Sequence, residues 1–128
     1  MKVIVCGSRH WLNFAAVLRE LRKLPRGTVI IHGGCKTGAD AMADKIARKL
    51  GLTVRVYPAD WEGEEARTGS AGAAGPKRNT LMIATEHVPD DPVAFVLAFT
   101  LDLRKSKGTR DCVTKAEAVQ IPVTVLAA

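Results

Sequence analysis

At 128 residues, 47% hydrophobic and 25% charged, the chain is expected to form one water-soluble domain that needs no staples. Its longest apolar run, residues 93–99, is too short to cross a bilayer; no secretion signal follows Met1, and three cysteines without framework spacing fit a reduced, cytoplasmic protein. The net charge of +6 invites a nucleic-acid reading, but aromatic residues are only 5% and no helix-turn-helix, zinc-finger or RNA-binding signature is present.

Residues 2–6 are an apolar run ended by Gly7, which predicts a buried strand. Phe14, Val17, Leu18 and Leu21 recur at helical spacing and predict a helix over 11–24, stopped by Pro25 and Gly27. A β-branched run predicts a second strand at 28–32. Apolar positions 39, 42, 43, 46, 47 and 50 then predict a helix over about 38–50, closed by Gly51. A third strand over 53–57 ends at Pro58, and residues 62–76, without any period, read as a mobile loop. Pro76 introduces a helix over about 77–86. A fourth strand at 93–99, a second mobile loop at 100–107, a helix at about 109–120 and a strand at 122–126 complete the chain.

Strands that alternate with helices and are apolar on both faces predict an α/β domain spanning 1–128, a parallel sheet covered on both sides. Right-handed crossovers then bring every strand-to-helix loop to one edge, where such folds bind ligands. The chemically unusual residues fall in those loops. Gly7-Ser8-Arg9 has two readings: a cradle for one phosphate with Arg9 as a forked partner, or a tight turn with Ser8 capping the helix. Gly33-Gly34-Cys35-Lys36-Thr37-Gly38 leaves N–H groups at the positive end of a helix dipole, an anion site suited to phosphate. It matches neither the Walker A loop nor the dinucleotide fingerprint. Asp40, in the following helical turn, either complements the dipole or takes a ribose hydroxyl or base.

At the third loop Asp60 precedes Trp61, which either stacks on a base or ribose or packs as an aromatic lid. Gly75-Pro76-Lys77-Arg78-Asn79 puts two cations at a helix start, where they are misplaced unless something anionic sits there. Lys107-Gly108-Thr109-Arg110-Asp111 repeats the theme: Thr109 can cap, Gly108 permits close approach, and Lys107 or Arg110 can meet a phosphate. Cys6, His32 and Cys35 lie near the same edge, but no C-x-x-C pair exists, so neither a metal nor a cofactor is expected.

Five motifs run collinearly over nearly the whole chain: Gly-Ser-Arg at 7–9, His-Gly-Gly-x-x-x-Gly-Ala-Asp at 32–40, Tyr-Pro-Ala-Asp-Trp at 57–61, Gly-Pro-x-Arg-Asn at 75–79 and Gly-Thr-x-Asp at 108–111. Together they resemble the YspA-like family of the SLOG superfamily, the Rossmann-like group that includes the LOG phosphoribohydrolases and DprA. The resemblance implies a three-layer sandwich whose five-stranded, mostly parallel sheet has the order 3-2-1-4-5. It also implies a nucleotide-derived ligand at the strand C-terminal edge and, since SLOG relatives often dimerise, a homodimer or higher homo-oligomer. LOG enzymes hydrolyse the N-glycosidic bond of nucleoside monophosphates with a helix arginine, which Arg78 matches, and a P-G-G-x-G-T-x-x-E motif. Here Ser106-Lys107-Gly108-Thr109 replaces the double-glycine run, the glutamate position falls on Cys112, and Asp111 stands one residue early.

The expected function is binding of a nucleotide or nucleotide-derived signal, such as a nucleoside monophosphate, an ADP-ribose derivative or a cyclic nucleotide, as a sensor or sequestering protein in a bacterium or a phage. Arg9, Arg78, Lys107 and the N–H groups of residues 34–38 and 108–109 are expected at phosphate, with Asp40, Asp60 and Trp61 at ribose or base. The first alternative is an N-glycosidic or phosphoester hydrolase. Such chemistry needs a carboxylate, for which Asp40, Asp60 and Asp111 are the candidates. The second alternative is DNA or RNA binding, without membrane association in any case.

Overall fold

Alternation along the strands decides the layering. In β1 (Lys2–Gly7), Val3 and Val5 point into one core and Ile4 and Cys6 into another, so the strand is buried on both sides. The computed structural model describes residues 1–127. After β1 come α1 (Phe14–Leu21), β2 (Val29–His32), α2 (Gly38–Lys49), β3 (Thr53–Val56), α3 (Trp61–Thr68) and α4 (Ala74–Glu86). Then follow β4 (Phe95–Phe99), a 3-10 turn (Leu103–Lys105), α5 (Lys107–Ala118) and β5 (Val123–Leu126). All strand pairings are parallel and the order is β3-β2-β1-β4-β5. Helices α1 and α2 cover one face, with Val17, Leu21, Ala43 and Ile46 packed on Val3, Val5 and Ile30. Helices α4 and α5 cover the other through Met82, Ile83, Cys112 and Val113. The result is a Rossmann-like α/β sandwich. Among the described residues, no helix is long and apolar enough to cross a membrane.

Several boundaries differ from the sequence expectation, each for a local reason. The first helix begins at Phe14 rather than at 11, because the Asn13 side chain accepts the Ala16 N–H at 3.0 Å and caps it. The stretch 62–76, expected as loop, contains α3: Asp60 caps it by accepting the Gly63 N–H, and Gly69 ends it in the left-handed conformation. Helix α4 starts at Ala74, ahead of Pro76, since N–H groups in a first turn have no helical acceptor to lose. Strand β4 starts at Phe95 because the Val93 N–H goes to His87 Nδ1 instead of the sheet. In the loop expected at 100–107, Asp102 caps the 3-10 turn by accepting the Arg104 N–H, and α5 begins at Lys107.

Candidate functional site

Because the sheet is parallel, the loops that follow the strands share one rim. Strands β1 and β4 are neighbours, yet the chain leaves β1 toward one face and β4 toward the other, so their loops part. The gap is a cleft of about 460 Å3, lined by Ser8 and residues 10–13 on one side and by residues 100–102, 105 and 106 on the other. Trp11 forms a firm wall: it is buried, packs on Phe99 with ring centroids 5.6 Å apart, and donates its indole N–H to the Asn13 carbonyl. Leu12 and Leu101 stand 88% and 78% exposed at the mouth, a rim of apolar surface left to solvent. Asp102 is held below the usual carboxylate range by the Arg104 N–H and then its guanidinium, so it is ionised.

Helix α5 opens directly onto this cleft. The hydroxyls of Ser106 and Thr100 lie 2.6 Å apart, and Ser106 makes no capping bond to the helix. A side chain at Gly108 would meet open space, Lys107 is exposed, and Thr109 is buried. The dipole-positive end of α5 is therefore uncapped beside a cleft.

The glycine loop after β2 is more self-contained than its sequence suggests. The Gly34 N–H donates to Nδ1 of His32 at 2.9 Å, which leaves the ring proton on Nε2, 2.7 Å from Asp44. The Cys35 N–H donates to Asp40 at 3.3 Å. Two of the N–H groups expected at phosphate thus have partners inside the protein. Asp40 is buried, which raises its pKa, while the Cys35 N–H and Arg78 pull it back down. Its carboxylate turns onto its own loop. The Ala39 N–H donates to the Ser8 carbonyl and the Thr37 hydroxyl to the Arg9 carbonyl, so this loop is tied to the one after β1. Gly7 is required there, since a Cβ would run into the Phe99 carbonyl and Ala39. Gly33, Gly34, Lys36 and Gly38 complete the loop, and none of them lines the cleft of Ser8. Arg9 is exposed.

A smaller cleft, about 160 Å3, lies between α3 and α4 and is lined by Asp60, Glu64, Arg67, Lys77 and Arg78 among others. The anion that the cations at this helix start call for is the protein's own. Glu64 is buried and accepts from Lys77 Nζ at 2.7 and 2.9 Å and from Arg67 at 3.0 Å. Arg78 Nη1 donates to the Gly33 and Tyr57 carbonyls and its Nε to Asn79, so it braces two rim loops. Trp61 is half exposed and lies over Gly75, packed on α4 rather than on the core. Asn79, expected at the ligand, is buried and donates to the Gly108 carbonyl and to Asp111, which also accepts from Lys115. It is a strut between α4 and α5.

The family model described as "YAcAr: YspA, cpYpsA-related SLOG family" matches residues 1–63. Over 131 residues the chain is 34% identical to the Gene 61 protein of Mycobacterium phage D29, covering 95% of this chain and 93% of that protein. The chain belongs to the YspA-related SLOG family. In this SLOG protein the matched segment carries the loops after β1 and β2 and the turn into α3.

The sequence-derived site residues of the SLOG protein therefore share one rim without meeting at one point. Ser8 borders the larger cleft and Lys107 to Thr109 follow directly on its Ser106 wall; Asp60, Lys77 and Arg78 line the smaller one; the glycine loop lies outside both linings. Residue-by-residue reading missed His10, Trp11, Leu12, Leu101 and Lys105, which carry no recognisable motif. Strand order was the signal that could have found them, because it puts the loops after β1 and β4 on either side of the switch point.

Proposed function

We propose that this SLOG protein binds a nucleotide-derived small molecule in the cleft between the loops after β1 and β4, as a sensor or sequestering protein. The phosphate lies against the start of α5, and the base or ribose lies between Leu12 and Leu101. One observation carries the reading: a cleft of about 460 Å3 opens onto a helix N-terminus that no side chain caps. That volume falls within the range of small-molecule sites, about 300–1,000 Å3. Free N–H groups and Lys107 offer phosphate charge-assisted bonds of about 1.5–3 kcal/mol each before ordering costs, enough for micromolar affinity.

Carboxylate placement favours binding over hydrolysis. Asp40 is engaged by its loop, Asp111 by Asn79 and Lys115, and Asp60 by the start of α3. None of the three lines the larger cleft, whose one carboxylate, Asp102, is held by Arg104. The test is a thermal-shift and calorimetric panel of nucleoside monophosphates, cyclic nucleotides and ADP-ribose, with chromatography of the recovered ligand. A member of the panel should raise the melting temperature and come back unchanged. Lys107→Ala and Leu101→Glu, both at exposed positions, should each weaken its binding about tenfold, or 1.4 kcal/mol, with folding intact. Binding untouched by both variants would overturn the placement. Recovery of free base would make the protein a hydrolase. Affinity that grows with oligonucleotide length and falls steeply with salt would make it a nucleic-acid binder.

A further inference from the structure

Helix α3 is attached to the molecule in an unusual way. Its eight residues bury a single side chain, and that side chain is a carboxylate, Glu64. Its substantial packing is against α4 alone. Small residues follow its end, Gly69 through Ala73, with Gly69 at φ 81°. Such segments absorb backbone rotation cheaply. Charge is what holds α3 down, through Lys77 of α4 on both Glu64 oxygens, while Arg67, one turn along α3 itself, braces the same carboxylate from within the helix. Those bonds, Lys77 first, keep Glu64 below the usual carboxylate range, so it is ionised at neutral pH. Trp61 lies across Gly75, so the helix covers the first turn of α4. Arg78 lines the cleft between them.

Apolar packing cannot be exchanged for an ion, but a carboxylate held by a cation of the neighbouring helix can. A second anion on Lys77 would be repelled by Glu64, so the carboxylate and the newcomer exclude one another. We propose that α3 is a charge-latched lid over the start of α4, and that a phosphate-type anion opens it by taking Lys77 from Glu64, which keeps Arg67 of its own helix as partner. The lid stands apart from the ligand site beside α5 and does not rest on that reading.

The experiment compares the full chain with Glu64→Gln and Lys77→Met, following amide hydrogen exchange over residues 61–69 and quenching of Trp61 fluorescence. Trp11 is buried, so an aqueous quencher reports on Trp61. Inorganic pyrophosphate is the probe, with sodium chloride at matched ionic strength as its control. Both variants should speed exchange in 61–69 about tenfold with the global melting transition nearly unchanged. Pyrophosphate should do the same to the wild type and add nothing to Lys77→Met. Glu64→Gln should bind pyrophosphate more tightly than the wild type, because its internal competitor is gone. Unchanged exchange in both variants, exchange that rises only with global unfolding, or equal opening by chloride would each overturn the lid.

Discussion

Glu86 ends α4 with its side chain 2% exposed, and three donors converge on it: Lys2 at 3.1 Å, Arg55 at 2.7 Å and the Tyr57 hydroxyl at 2.6 Å. Burial alone would raise its pKa, but Tyr57, Lys2 and Arg55 together hold it below the ordinary glutamate range. The same contact works on the other partner. Burial, then the bond to Glu86 and its charge, pushes the Tyr57 hydroxyl up to about 12. As a raised folded value requires, this contribution to stability is whole below the ordinary tyrosine range, about 10, and is lost as pH rises through the folded value. Tyr57 is the one tyrosine in the chain, so ultraviolet difference absorbance follows it alone. Glu86→Gln should lower its midpoint by removing the charge, while burial still holds it above the ordinary range of about 10. The substitution should also cost about 1–3 kcal/mol in urea unfolding, because the buried Lys2 is left with Asp91 as its carboxylate partner. An unmoved tyrosine midpoint would show that the contact does not persist in solution. Nothing in the local sequence of Lys2, Arg55, Tyr57 or Glu86 announces this cluster, since its members meet only across β1, β3 and α4.

Between elements, the junction of the loop after β1 with the start of α2 depends on Gly38. It has φ of 74°, and a Cβ there would overlap the Ser8 carbonyl and come within 2.5 Å of Arg9 Cα. Gly51, just beyond α2, has nearly the same φ of 76° with nothing within 4 Å of a Cβ. Alanine at Gly51 should therefore cost only the left-handed backbone penalty, about 1–2 kcal/mol. Alanine at Gly38 should cost that and a further 1–3 kcal/mol, roughly, for overpacking. Equal losses in chemical denaturation would mean the two loops are not pressed together. Helix α3 was legible in part: Asp60 as cap, acidic residues in the first turn, Arg67 in the last turn and Gly69 as stop form a recognisable frame. It was missed because a helix that buries one carboxylate shows no apolar period.

For the molecule as a whole, acid is the condition that tests the charge network. Asp44, Glu64, Glu86 and Asp102 are all held below their ordinary values by cations, hydroxyls or N–H groups. Their contributions are present above the ordinary carboxylate range, about pH 4, and are lost as pH falls through the lower folded values. Asp40 runs the other way: burial raises it, so protonation relieves a cost. Four against one predicts a urea midpoint that is nearly flat from pH 7 to about 5 and falls below about 4. A midpoint that rises on acidification would mean the buried Asp40 outweighs the paired carboxylates.

Strand alternation, helix caps and the glycine turns are local properties, and they were enough to read a parallel sheet with its strand-to-helix loops on one rim. The five motifs added the family and, with it, the strand order. Which helix starts are free to hold an anion was not legible, because the groups that occupy them come from elsewhere in the chain. Glu64 fills the start of α4 from α3, the Ser8 carbonyl takes the Ala39 N–H, and His32 and Asp40 take the glycine-loop N–H groups. The uncapped start of α5 and the cleft beside it arise only when the sheet sets β1 next to β4, bringing together loops from opposite ends of the chain. A dipole is written by a few consecutive residues, whereas its vacancy depends on every distant neighbour that could fill it.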